Sequence, residues 1–114
     1  MSQHIYSTVC LDRPVSVLVG WDRPLQGFFM VVEFEDSQDD EYAYCNLEDL
    51  DLLEFSGLPP TFDFFAEKLQ LLGIKLPELI VQELEMDRRS NAGNRRVVYD
   101  MNGEVKSDTL KAMA

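Results

Sequence analysis

A triplet that recurs after ten residues constrains the fold more than any other feature of this chain. Asp12-Arg13-Pro14 and Asp22-Arg23-Pro24 each close a run rich in β-branched and aromatic residues, 5–11 and 15–21. Proline fixes φ and removes a donor, and aspartate accepts local backbone hydrogen bonds, so both triplets read as turns. Runs of this composition between turns are strands. A third run, 28–34, and a shorter fourth, 41–45, extend the pattern into a meander. In the third, Phe28, Met30, Val32 and Phe34 share one face and Phe29, Val31, Glu33 and Glu35 the other. The second face is apolar only at its Phe29/Val31 end. A solvated face should be polar throughout, so something is expected to cover that end: a curled sheet, the C-terminal segment or a second copy of the chain.

After the break at Gly57-Leu58-Pro59-Pro60 the period changes to that of helices. Phe62, Phe65, Ala66, Leu69 and Leu72 form one stripe of a helix that starts at a Thr61 cap and stops at Gly73. Leu76, Ile80 and Leu84 form the buried face of a second, with Pro77 in its first turn and Arg88 and Arg89 complementing its C-terminal dipole. Residues 96–101 and 104–107, around Asn102-Gly103, read as a late hairpin. Asn46-Leu47-Glu48-Asp49 resembles an N-cap with an acid three residues on, which suggests a short helical turn before Phe55, though 50–55 could extend as a strand. The expected fold is α+β: an antiparallel sheet of four to six strands, meander first and hairpin last, with two helices packed on one face. Residues 1–107 make one domain and 108–114 a loose tail. At 114 residues the chain buries a core without disulfide or metal.

Charge is the second constraint. Ten acids and no base lie between Glu33 and Glu54, and the chain carries −11 overall. Such a field repels phosphate backbones and anionic lipid and favours basic partners. Glu33, Glu35, Asp36, Asp39, Asp40, Glu41, Tyr42, Glu48 and Asp49 are therefore the candidate partner-binding residues. Arg88, Arg89, Arg95 and Arg96 bracket a short loop and form a candidate anion site, since guanidinium forks suit carboxylate or phosphate. Folding of this basic region back onto the acidic strands is the alternative. Trp21, Phe29 and Val31 mark a candidate homodimer interface.

Catalytic and ligand motifs are weak. His4 is the one histidine, placed near a frayed N-terminus, and about 20 Å of strand separates it from Cys10. One histidine and two scattered cysteines do not build a zinc site, and 36–41 lacks the glycine and spacing of a calcium loop. The glycines form no phosphate-binding fingerprint. No metal or cofactor is expected. The start has no charged-then-apolar leader and no apolar run spans a membrane, which points to a cytoplasmic protein with reduced thiols. The leading expectation is a non-catalytic acidic interaction or regulatory protein, an inhibitor or adaptor that binds a basic protein surface, with nucleic-acid mimicry its sharpest form. A ligand-binding or sensor domain with a pocket lined by Trp21, Phe62, Phe65 and Leu69 is the alternative. An enzyme using carboxylates and the arginine cluster comes third.

Overall fold

A computed structural model describes residues 1–37 and 41–109. Strands β1 (Ser2–Cys10), β2 (Arg13–Asp22), β3 (Gly27–Phe34) and β4 (Tyr42–Cys45) are followed by two 3-10 turns (Asn46–Glu48 and Leu50–Phe55). Helices α1 (Asp63–Leu71) and α2 (Glu78–Ser90) and strands β5 (Arg95–Tyr99) and β6 (Val105–Asp108) complete the chain. The architecture is α+β, one six-stranded sheet in the order β4-β3-β2-β1-β5-β6.

The two Asp-Arg-Pro triplets are not equivalent. The first reversal falls on Leu11 and Asp12, both at positive φ (55° and 60°), and Arg13 already belongs to β2. In the second, Asp22 ends β2 and its carboxylate accepts from Leu25 N–H at 3.0 Å, so residues 23–26 turn. The meander itself forms as the alternation requires, with β1, β2 and β3 antiparallel to their neighbours.

The fully antiparallel expectation fails at β5, which runs parallel to β1. The reason lies at the end of α2. Asn91, in the left-handed region at φ 49°, stops the helix and accepts from Trp21 Nε1 at 3.1 Å. The terminal ammonium of Met1 then donates to Asn94 at 3.1 Å, and Arg95 enters the sheet beside Ser2. The helices have carried the chain back to the end where β1 starts, so both strands leave in one direction.

One face of the sheet holds the core. Tyr6, Cys10, Val15, Val17, Val19, Trp21, Phe28, Met30, Val32, Phe34, Val97 and Tyr99 pack there with Leu52, Phe65, Leu69, Ile74, Ile80 and Leu84. Both helices and the second 3-10 turn therefore cover the same side. Phe62 holds the cap position of α1 and no side chain caps it, so Thr61 does not play the part expected of it. Segment 47–55 takes the helical-turn form and not the strand, as 3-10 helix: Asp49 accepts from Asp51 N–H at 2.9 Å and caps the second turn. Asn46, read as a cap, donates instead to the Gly57 carbonyl at 2.9 Å. Asp108, assigned to a tail, is the last residue of β6 and is buried; residues 110–114 lie outside the described part.

The opposite face contributes nothing to that core. Register aligns Cys45, Val31, Leu18, Ile5, Val98 and Ser107 in one row across all six strands. Phe29 is 9% exposed, although both described helices pack on the other face. Its ring lies across Gly20, where an added Cβ would stand 2.6 Å from Phe29 Cζ and 1.9 Å from the Ser2 carbonyl oxygen. Packing over Gly20 thus hides Phe29 locally, while the row beside it stays half-buried from Cys45 to Val98.

Candidate functional site

Alternation along β1 turns Ser2 and His4 inward with Tyr6 and Cys10, so the histidine is fully buried and not frayed. His4 Nε2 lies 2.6 Å from Asp87 Oδ2, and Nδ1 lies 2.7 Å from Tyr99 Oη. A carboxylate only accepts, so Nε2 carries the proton. In the neutral ring Nδ1 then accepts from Tyr99. Arg95 donates through Nη1 to Asp87 Oδ1 and to Glu83, each at 3.0 Å, and through Nη2 to Asp108 at 3.0 Å. One guanidinium thus joins α2, β5 and β6, and one carboxylate joins α2 to the first strand.

Burial pushes the Asp87 carboxyl upward, but hydrogen bonds from His4 and Ser2 and the positive charge of Arg95 prevail and hold it below the ordinary carboxylate range. Tyr99 is pushed up by burial and by Glu83. Among the described residues no buried side-chain polar atom is left without a partner. The His4–Asp87 pair has the form of a base with its orienting carboxylate. Both ring nitrogens are engaged, however, and no part of the residue meets solvent. A surface depression of about 420 Å³ reaches Glu83, Asp87, Arg95 and Asp108, the carboxylate side of the cluster. Sequence reasoning missed this group. The readable signal was Asp87, a carboxylate on the stripe Ile80–Leu84 that α2 buries.

The acidic residues divide into two groups with separate cations. At one end of β2, Arg13 forks onto Asp36 and Glu41 at 2.9 and 3.0 Å and lies 3.9 Å above the Phe34 ring. Its hydrogen bonds hold both carboxyls below their ordinary range. Glu35 accepts from Ser7 at 3.0 Å, Glu33 is half-buried on the open sheet face, and Tyr42 pairs beside it in β4. Asp39 and Asp40 lie outside the described residues. In the second group Lys68 of α1 stands 3.6 Å from Asp49 and 3.8 Å from Asp51. Tyr44 donates to Asp49 at 2.7 Å. Burial, followed by that bond, raises the phenol.

The four arginines do not converge on a ligand. Arg95 is enclosed by three carboxylates, and Arg88 and Arg89 both reach Glu85 on their own helix. Arg96 points to the open face of the sheet. Trp21 separates from Phe29 and Val31: it is 4% exposed in the core, edge-on to Phe28, while they occupy the opposite face. Phe65 and Leu69 fill the space between helices and sheet, and Phe62 and Leu69 border an open groove between α1 and α2. Among the described residues no group of three or more His, Cys, Asp or Glu could hold a metal ion.

One surface was not anticipated. Leu47, Leu50 and Leu53 are 74%, 77% and 72% exposed, at three-residue spacing through the 3-10 turns. Glu48, Asp49, Asp51 and Glu54 alternate with them, while Leu52 alone turns into the core. Three leucines held open in one ordered segment are unusual for an isolated domain, and carboxylates between them set the sign of what can approach. No family model, no curated protein and no solved structure matches this chain. No described helix is long and apolar enough to cross a membrane.

Proposed function

We propose that this protein is a non-catalytic interaction protein that presents an acidic, leucine-bearing surface to a basic partner protein. The observation that carries the reading is the exposure of Leu47, Leu50 and Leu53 between carboxylates. Apolar side chains supply contact area, and the flanking acids select a groove rimmed by lysine or arginine and speed its approach. The enclosure of His4 supports a binding role over a chemical one. In its sharpest form the surface occupies a groove that otherwise takes nucleic acid. The free thiols of Cys10 and Cys45 suit a reducing cytoplasm.

The test is capture of partners at low and at high salt by the native chain and by two variants, Glu48→Lys/Asp51→Lys/Glu54→Lys and Leu47→Ser/Leu50→Ser/Leu53→Ser. Recovery of a basic protein that weakens with salt and fails with either variant is expected. Equal recovery by both variants, with their circular dichroism unchanged, refutes the reading.

A further inference from the structure

The open face of the sheet carries an inference independent of the Leu47–Leu53 surface. Its central row, Val31, Leu18, Ile5 and Val98, is apolar across four strands. Two oppositely charged residues stand at its corners. Arg96 lies on β5 two residues before Val98, and Glu33 lies on β3 two residues after Val31. Strands β3 and β5 run the same way as β1, so the two charges sit on opposite sides of the row, diagonally across its midpoint. Among the described residues neither forms an ion pair.

We propose that a second copy of this chain covers the open face, related by a two-fold axis that lies in the interface and places Arg96 of each copy against Glu33 of the other. Three inter-strand steps of ~4.8 Å and four residues of ~3.3 Å separate the two charges by ~14 Å across the strands and ~13 Å along them. An in-plane two-fold that exchanges the ends of such a diagonal runs at about 45° to the strands. The two sheets then cross near 90°, which is one of the two packing modes open to facing sheets. The row Val31–Leu18–Ile5–Val98 meets its own image at the centre, as an isologous interface requires. Six strands of which the longest span ~30 Å offer a footprint of about 700 Å², close to the ~800 Å² each partner gives to a stable interface. Both Leu47–Leu53 segments stay outside this contact, because they pack on the helix side.

The net charge of −11 on each copy opposes association over distance, so the assembly is sought at ~0.15 M salt or above, where screening shortens that repulsion to ~8 Å. Sedimentation equilibrium across a concentration series should return twice the chain mass of 13.1 kDa for the native chain. Leu18→Lys should give a monomer. Glu33→Arg and Arg96→Glu should each weaken the dimer at least tenfold, and the double exchange Glu33→Arg/Arg96→Glu should restore it. Thermal unfolding of every variant distinguishes lost association from lost folding, and Ser16→Lys, beside the row, is a second probe should Leu18→Lys fail to fold. A native chain that stays monomeric throughout, or a dimer indifferent to the single charge exchanges, overturns the proposal.

Discussion

Replacing Asp87 with alanine should remove a large fraction of the protein's stability. The side chain is 3% exposed and accepts from His4 at 2.6 Å and from Arg95 at 3.0 Å. Alanine leaves these donors, and Ser2 with them, inside the protein without that acceptor. Hydrogen bonds to charged groups contribute about 1.5–3 kcal/mol each, and breaking a buried charged pair costs about 3–5 kcal/mol. Glu83 and Asp108 still hold Arg95, which limits the loss on that side, so about 4 kcal/mol is expected. A domain of this size has about 5–15 kcal/mol in all. Asparagine keeps the shape and sets a sharper condition. Its oxygen can serve Arg95, but its amide must then face His4 Nε2. That works only if the ring proton moves to Nδ1 and Tyr99 accepts instead of donating. Asp87→Asn should therefore cost less, about 1–2 kcal/mol, one charge-assisted bond having become neutral. Urea unfolding with matched m-values measures both changes, and a cycle with His4→Ala isolates the pair. An alanine variant within 1 kcal/mol of the native chain, or an asparagine variant less stable than alanine, would refute the account of this cluster.

The same carboxylate gives a pH dependence of fixed sign. Its folded pKa lies below the unfolded value of about 3.9, so its contribution is complete above that value and is lost as pH falls through the folded one. Acid unfolding of the native chain should be steeper below about pH 4 than that of Asp87→Asn, and high salt should not abolish the difference, as it would for the exposed Arg13 pairs. At the first hairpin, Leu11 adopts φ 55° with its side chain 75% exposed, a backbone region that costs a branched residue about 1 kcal/mol. Leu11→Gly should raise the urea midpoint by an amount equivalent to about 0.5–1 kcal/mol. A lowered midpoint would show that Leu11 makes a contact worth more than the strain.

Periodicity carried the sequence a long way where one element decides the outcome. Phe28, Met30, Val32 and Phe34 are all buried on the face that alternation assigned them, and Ile80 and Leu84 line the buried side of α2. What periodicity cannot carry is a relation between elements distant in the chain. The parallel β1–β5 pairing depends on where α2 ends, and that depends on Asn91 meeting Trp21. His4 looked frayed because its partners Asp87 and Tyr99 lie more than eighty residues further on. Arg95 looked like an anion site because its three carboxylates come from two other elements. Trp21 was grouped with Phe29 by proximity in sequence, yet register places them on opposite faces.

The placement of the arginines also decides how much of the acidic field survives folding. The basic loop at 88–96 had two possible uses: to fold back on the acids of 33–54, or to serve its own neighbourhood. Its ion pairs run to Glu83, Glu85, Asp87 and Asp108, none of which belongs to that acidic stretch. Only Arg13 and Lys68 oppose the stretch among the described residues, and each cation holds two carboxylates. Two positive charges against the eight described acids of the stretch leave it strongly anionic. The neutralising contacts are also positional. Arg13 ties Asp36, just after β3, to Glu41, just before β4, and Lys68 ties the 3-10 turns to α1. Glu48, between Leu47 and Leu50, and Glu54, next after Leu53, have no ion pair among the described residues. These two carboxylates stand beside exposed apolar surface, which is the combination that a basic, apolar-floored partner groove would recognise.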